Sequence, residues 1–296
     1  MMKKRNANKT AEVNLKMLAD LKIEEAVRFE RILKIPQGFM GIRSHFPHIR
    51  RLPLCLSLIA ELLYKRTNRL TEQANNPVIL EWMCGYSPRV LLFKDRYRYI
   101  GTDTPEVTDE LKSHGDELFA EGEAGNYCSG DLTLCEVPKS LMEEITGSVT
   151  VITQGDLTQL TTDQKENLMN NIHTILKEKG GCWIIPDGTP DKLLPQTIEA
   201  VVGKRGNKVY QQIIRLWNEK SQHSESKNGW QSTNEIIAGL LSKGYCVQPV
   251  LLFADDLNMV SLKKLSTVKA NRLVARWNEM FALVVTADPQ IRIIQK

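Results

Sequence analysis

The pattern of apolar and polar positions divides the chain into a helical beginning and a longer part in which short strands alternate with helices. Residues 11–33 contain many apolar positions and no Gly or Pro, so the pattern predicts a helix there. Pro53 is suited to the first turn of a second helix, which is expected to reach about Thr67. The triplet Asn75-Asn76-Pro77 then ends this helical segment.

Short apolar runs that end in polar loops follow, which is the pattern of strands buried in a parallel sheet. Strands are predicted at residues 78–82, 97–101, 126–130, 148–153 and 182–185. Between the last two, Thr161 and Gln164 form a capping-box pattern at the start of a helix with one apolar face. Gly180-Gly181 ends that helix. A strand, a helix and a further strand in this order predict a parallel sheet with crossover helices.

The last third of the chain carries weaker patterns. They predict helices at 232–242 and 273–279, strands at 245–253 and 282–286, and a polar loop over 219–229. The predicted fold class is therefore α/β: a Rossmann-like domain over 76–296, with a mostly parallel central sheet flanked by helices. Residues 1–75 are predicted to be an N-terminal helical extension that caps or shapes the substrate site.

Composition narrows the range of partners, metal sites and cellular compartments to expect. The net charge is +4, from 39 basic and 35 acidic residues, which is too small an excess to indicate nucleic acid. Six cysteines without a CxxC pair or zinc spacing favour a reducing compartment and no metal site. The basic start MMKKRNANK has no apolar region after it, and no apolar stretch is long enough to span a membrane. The expectation is a cytoplasmic protein with no membrane segment.

The chemistry points to the loop after the first predicted strand and to the end of the second. Gly85 lets the backbone approach a ligand closely, and Asp103 can accept hydrogen bonds from both hydroxyls of a ribose. Asp103 follows Glu81 by 22 residues, close to the roughly 20 expected for a nucleoside-binding unit. The GxGxxG fingerprint is absent, which argues against a dinucleotide because its pyrophosphate uses that motif. S-adenosylmethionine is the expected cofactor.

Three segments carry a resemblance to a known family. They are Leu80–Arg89, Tyr99–Glu106 with its Asp-Thr-Pro-Glu turn, and Val151–Thr161. Together they resemble the leucine carboxyl methyltransferase family of S-adenosylmethionine-dependent O-methyltransferases, and the likeness covers about residues 77–187. The resemblance implies the class I methyltransferase fold and the transfer of a methyl group to an oxygen.

The resemblance also implies roles for individual residues. Glu81 and Gly85 would lie under the methionine part of the cofactor, and Asp103 would hold the ribose. Asp131 would bind the adenine amino group, although Gly-Asp-Leu is equally a common turn after a strand. Gln154 and Gly155 would line the cofactor beside the transfer site. The remaining predicted cofactor-binding residues flank these positions: Met83, Cys84, Tyr86, Arg89, Thr104, Gly130 and Leu132.

Two positions depart from the family pattern. Trp82-Met83-Cys84 replaces the usual glycine-rich start of the loop, and Gln154 replaces a Glu, which removes a charge that would strengthen a hydrogen bond to the cofactor's ammonium. These departures favour one alternative, a degenerate cofactor-binding interaction module without methyl transfer. An NAD(P)-dependent oxidoreductase on the same fold and an RNA-modifying methyltransferase are further alternatives. The acceptor is expected to be a small molecule or a protein carboxylate. The sequence identifies neither a catalytic residue nor an oligomeric state.

Overall fold

The computed structural model describes residues 4–35, 51–119, 125–155, 157, 160–220, 230 and 232–289. The α-helices of these residues are α1 (Lys4–Asp20), α2 (Glu24–Ile32), α3 (Leu52–Ala74), α4 (Arg89–Phe93), α5 (Pro105–Ser113), α6 (Gly115–Leu118), α7 (Lys139–Glu144), α8 (Thr162–Lys179), α9 (Pro190–Lys220), α10 (Thr233–Ser242) and α11 (Thr267–Trp277). The strands are β1 (Val78–Trp82), β2 (Arg98–Asp103), β3 (Gly125–Ser129), β4 (Val149–Thr153), β5 (Gly181–Ile185), β6 (Cys246–Leu251) and β7 (Phe281–Thr286). Two 3-10 helices lie at Asp255–Leu257 and Ser261–Lys264.

The strands of the described residues form one seven-stranded sheet in the order β3-β2-β1-β4-β5-β7-β6. Neighbouring strands from β3 to β5 are parallel, while β7 runs antiparallel to both β5 and β6. The predicted α/β fold class is confirmed: the fold is Rossmann-like, with a mostly parallel sheet flanked by helices. The chain moves outward from β1 to β3 and then returns to the other side of β1 with β4, which creates a topological switch point between β1 and β4.

Side chains that alternate along the strands pack into hydrophobic cores on the two faces of the sheet. In β1, Val78 and Leu80 join the core that contains the apolar stripes of α8 and α10. Ile79 points to the other face and joins the core formed with α1, α2, α4 and α5. Farther along that face, Cys182 of β5 packs in a third core with α3, α9 and α11. The parallel strands β1 and β4 are buried at every position, which explains their continuous apolar runs.

The N-terminal helices depart from the prediction in two places. The prediction of a single helix over 11–33 was wrong, because α1 ends at Asp20 and α2 begins at Glu24. Lys22 between them adopts φ 63°, a left-handed conformation that folds α2 back so that Phe29 shares a core with Leu15. The helix that Pro53 opens continues past Thr67 to Ala74, where left-handed Asn75 caps it.

The other predicted elements are present with ends that differ by a few residues. Strand β1 has the predicted bounds, and the capping box of Thr161 and Gln164 opens α8. Helix α9 was not predicted, since Pro195 and left-handed Gly203 interrupt its pattern. The predicted loop over 219–229 begins inside α9 and otherwise lies outside the described residues. None of the described helices combines the length and apolar composition that crossing a membrane requires.

Candidate functional site

A cavity of about 270 Å³ opens where strands β1, β2 and β4 end. Ten of the thirteen predicted site residues line it: Glu81, Met83, Cys84, Gly85, Tyr86, Arg89, Asp103, Thr104, Gln154 and Gly155. The site therefore lies at the carboxyl edge of the parallel strands beside the topological switch point, where ligands of open α/β sheets bind. The structure does not bring Gly130, Asp131 and Leu132 into this cavity.

The loop between β1 and α4 makes its turn with Gly85 as its one glycine. Met83 and Gly85 both adopt φ 51°, in the left-handed region. For a methionine that conformation costs about 1–2 kcal/mol, and the surrounding contacts have to offset it. The amide of Cys84 donates to the carbonyl of Thr102 at 2.9 Å, which anchors the loop to the end of β2. The altered loop therefore still places its backbone along the cavity.

Glu81, in β1, is a buried carboxylate that accepts hydrogen bonds from three side chains. It is 4% exposed. Its Oε1 accepts from Arg89 at 2.5 Å, and its Oε2 accepts from the hydroxyls of Tyr99 at 2.8 Å and Ser87 at 2.9 Å. A buried carboxylate with this many donors stabilises the loop, because burying the charge without them would be costly. It leaves little capacity for a further donor from a ligand.

Arg89, the first residue of α4, ties together three parts of the fold. Besides Glu81, its guanidinium donates to Asn68 Oδ1 at 2.8 Å and to Gln154 Oε1 at 2.6 Å. Its guanidinium carbon also lies 4.9 Å from the ring centroid of Tyr64. Because Arg89 is only 2% exposed, these partners on α3, β1 and the end of β4 hold one another in place. The sequence did not predict the α3 residues, whose contacts with Arg89 depend on tertiary packing.

Asp103, the last residue of β2, directs its carboxylate back toward the loop after β1. Its Oδ2 accepts the amide of Gly85 at 2.8 Å, and its Oδ1 accepts the amide of Thr104 at 2.7 Å. Burial raises the pKa of this carboxyl, and the two amide hydrogen bonds oppose that rise. Each oxygen keeps one acceptor position, so the predicted bonds to two sugar hydroxyls stay chemically available.

The turn after β4 rests on a carboxylate that the sequence did not assign to the site. Gly155, with φ 92°, donates its amide to Asp187 Oδ2 at 3.1 Å, and Asp187 follows β5. Burial raises the pKa of Asp187 to about 6. Its other oxygen, Oδ1, is buried without a hydrogen-bond partner among the described residues. The polar sequence Pro186-Asp187-Gly188 after a strand was the available signal.

The segment after β3 forms a local turn. Asp131 is exposed, and its Oδ1 accepts from both the amide of Thr133 at 2.8 Å and the hydroxyl of Thr133 at 2.7 Å. Leu132 is fully buried in the core beside α8. Gly130 is buried against Thr102 and Leu141. Asp131 thus takes the turn role that its sequence left open, and its contact with an adenine stays a prediction.

Several residues that line the cavity were not predicted to belong to it. Asn14, Leu15 and Leu18 come from α1, and Val107 comes from α5. Trp82 also lines it, and its indole Nε1 is a buried donor with no partner among the described residues. A helical pattern reveals which face of α1 is apolar, but it does not show against which loop that face will pack. In the described part of the chain, no three His, Cys, Asp or Glu side chains lie together in a group suited to a metal ion.

Comparisons with known proteins add only distant likenesses. No protein-family model matches the chain, and no curated protein matches it. It is similar to magnesium protoporphyrin IX methyltransferase from Synechocystis PCC 6803 with bound SAH, at 13% identity and a TM-score of 0.45, over 88% of this chain and 91% of that one. It is also similar to human N-acetylserotonin methyltransferase in complex with SAM, at 13% identity and a TM-score of 0.44, over 93% of this chain and 66% of that one. A third similar structure is an O-methyltransferase family protein from Burkholderia thailandensis, at 12% identity and a TM-score of 0.40, over 92% of this chain and 67% of that one. With TM-scores below 0.5, these likenesses carry no argument about this chain.

Proposed function

We propose that this chain is an S-adenosylmethionine-dependent methyltransferase that methylates a carboxylate or hydroxyl oxygen on a small molecule or a protein. One observation carries the proposal: the loop after β1, the end of β2 and the turn after β4 converge on a single cavity at the switch point of the sheet. These are the three segments in which the sequence resembles the leucine carboxyl methyltransferase family. Membership of that particular family is part of the proposal.

The residues present fit this cofactor. The Asp103 carboxylate lines the cavity and has acceptor positions left for ribose hydroxyls. Trp82 also lines the cavity, and its indole N–H is buried without a partner among the described residues. The loop carries one glycine where a dinucleotide site carries three, and a nucleoside without a pyrophosphate needs no more.

The mechanism asks the protein for orientation rather than for acid–base chemistry. S-adenosylmethionine, when bound, supplies a methyl group on an electrophilic sulfonium. Asp103 would hold the sugar, and the turn at Gln154 and Gly155 would line the cofactor beside the transfer site. Leu15 and Leu18 of α1 cover part of the cavity and help to exclude water. A carboxylate acceptor is ionised at neutral pH and needs no general base.

Residues 1–75 are proposed to shape the acceptor side of the site. The support is that α1 contributes Asn14, Leu15 and Leu18 to the cavity wall, while Tyr64 and Asn68 of α3 contact Arg89. The extension thus supplies residues both to the wall of the cavity and to the contacts that hold Arg89. Action in the cytoplasm remains part of the proposal.

A second candidate is a cofactor-binding module that does not transfer methyl groups. The observation that favours it is the engagement of Glu81 and Gln154 by Arg89, which uses acceptor atoms that a cofactor ammonium would otherwise contact. The two candidates differ in turnover but not in binding. Transfer of a labelled methyl group to components of a cell extract distinguishes an enzyme from a module.

The binding test comes first and uses purified protein with S-adenosylmethionine, S-adenosylhomocysteine and NADH. We expect both adenosyl ligands to stabilise the protein, approaching about 2.7 kcal/mol at a ligand concentration of about 100 times Kd. Melting temperature and titration calorimetry measure this effect. No response to either adenosyl ligand at millimolar concentration would reject the proposal, and a response to NADH alone would favour the oxidoreductase.

A further inference from the structure

Arg89 determines which end of the Gln154 amide faces the cavity. A guanidinium can only donate hydrogen bonds, so the amide atom 2.6 Å from Arg89 Nη2 has to be the acceptor Oε1. The Thr67 hydroxyl lies 3.5 Å from the same oxygen, on the α3 side. The amide nitrogen of Gln154 therefore points away from Arg89. This orientation follows from hydrogen-bond chemistry.

The Gln154 amide nitrogen has no hydrogen-bond acceptor among the described residues. The Gln154 side chain is half-buried and lines the cavity. Its nitrogen is not one of the fully buried polar atoms, so it keeps some accessible surface. The nitrogen is thus accessible, in a side chain that lines the cavity, and it offers two N–H donors to a ligand. Beside it, Arg89 is the positive group of a pair whose negative partner, Glu81, already accepts from three side chains. Beside Arg89, the Gln154 nitrogen is thus a donor that no acceptor of the described residues engages.

We propose that Gln154 is a specificity-determining residue that donates to the carboxylate of the cofactor's amino-acid end and does not accept from its ammonium. This inference rests on the proposed function. It reverses the polarity that the sequence assigned to Gln154, because Oε1 is held by Arg89 and also lies 3.5 Å from the Thr67 hydroxyl, which leaves the amide nitrogen as the group without a partner among the described residues. A glutamate at this position would have no donor, and it would add a second carboxylate beside the Arg89–Glu81 ion pair.

The experiment measures the affinity of three ligands by titration calorimetry. S-adenosylmethionine carries both the carboxylate and the ammonium, decarboxylated S-adenosylmethionine keeps only the ammonium, and 5′-methylthioadenosine carries neither. In Gln154→Glu we expect S-adenosylmethionine to bind about tenfold to a hundredfold more weakly, since a charge-assisted donor becomes a repelling charge. The decarboxylated ligand should bind as well as before or more tightly, and 5′-methylthioadenosine should be unaffected.

A second variant, Gln154→Met, removes the donor while keeping a similar shape and adds no charge beside Arg89. It should weaken S-adenosylmethionine but neither of the other two ligands. Equal losses for S-adenosylmethionine and its decarboxylated form in this variant would overturn the inference, as would unchanged affinity for all three. Tighter binding of S-adenosylmethionine to Gln154→Glu would also overturn it. If the parent protein binds none of the three ligands, the proposed function itself fails, which is a distinguishable result.

Discussion

Asp103 and Asp131 occupy comparable places in the sequence, yet the fold uses them differently. Each stands at or just after the carboxyl end of one of two adjacent parallel strands, and Asp103 pairs in register with Ser129 of β3. Asp103 is 7% exposed and lines the cavity, whereas Asp131 is exposed and bonds to Thr133 within its own turn. A carboxylate after a parallel strand is therefore not sufficient to identify a ligand site.

The difference follows from strand order. Strand β2 is next to β1, and the loop after β1 brings the amide of Gly85 to Asp103 across 18 positions of sequence. Strand β3 is at the edge of the sheet, about 10 Å from β1 at the usual strand spacing of about 4.8 Å. The loops converge at the switch point between β1 and β4, and the contribution of each strand end falls with its distance from that point.

The largest effect is expected from removing the cation that organises the convergent region. In Arg89→Met, Glu81 stays buried and loses its ion-pair partner, so we expect a loss of about 3–5 kcal/mol in the free energy of unfolding. Denaturant unfolding measures it. The control is Arg96→Met, whose partner Glu72 lies on the surface and where the loss should be below about 1 kcal/mol. Similar losses in the two variants would contradict the framework role of Arg89.

Asp103→Ala tests the ligand side of the comparison. Losing a charged acceptor for the sugar hydroxyls should weaken S-adenosylhomocysteine binding about tenfold to a hundredfold. Stability should also fall by about 1 kcal/mol, because the amides of Gly85 and Thr104 lose their acceptor. Calorimetric titration and thermal melting separate the two effects. Asp109→Ala, at an exposed position of α5, should change neither, and parent-like affinity in Asp103→Ala would remove the support for a nucleoside here.

Asp187 extends the comparison to the end of β5 and makes stability depend on pH. Its pKa in the folded protein is raised to about 6, so the folded state resists ionisation more than the unfolded chain does. The protonated Asp187 carboxyl therefore contributes its full stability below about pH 4, and this contribution is lost as the pH rises through about 6. Asp187→Asn lacks that loss, and we expect it to be more stable than the parent by about 2–3 kcal/mol at pH 7.5.

The same comparison at pH 4 should show almost no difference between Asp187→Asn and the parent. Unfolding curves at several pH values measure both stabilities. Asp191→Asn, at an exposed position in the first turn of α9, supplies the control and should show no comparable change between pH 4 and 7.5. If the difference in stability between Asp187→Asn and the parent does not change with pH, the pKa of the Asp187 carboxyl is not raised by burial.

The smallest effect is expected at Asp131. Asp131→Ala removes only the two bonds to Thr133, so stability should fall by about 1 kcal/mol or less, with unchanged affinity for S-adenosylhomocysteine. Melting and titration measure these quantities. If Asp131→Ala weakens binding as much as Asp103→Ala does, the loop after β3 reaches the ligand, and the contrast between the two aspartates disappears.

Local signals predicted much of this molecule. Strand β1 was predicted at its observed bounds because its apolar run is short and ends in polar residues. The start of α8 was predicted because the capping box of Thr161 and Gln164 is a contact between residues three positions apart. Ten residues of the cavity wall were also predicted, from Gly85 and Asp103 at their strand ends and from the resemblance to a known family. Each of these signals lies within a short stretch of the chain.

Tertiary structure decided what depends on distant partners. The placement of β7 between β5 and β6, the packing of α1 over the cavity and the contacts of Tyr64 and Asn68 with Arg89 leave no periodic mark in the sequence. The orientation of the Gln154 amide also depends on tertiary structure, because the hydrogen bond from Arg89, 65 positions away in the chain, sets it. Sequence patterns record which residues a segment buries or exposes, whereas the partner that satisfies a buried polar group is chosen when the elements pack.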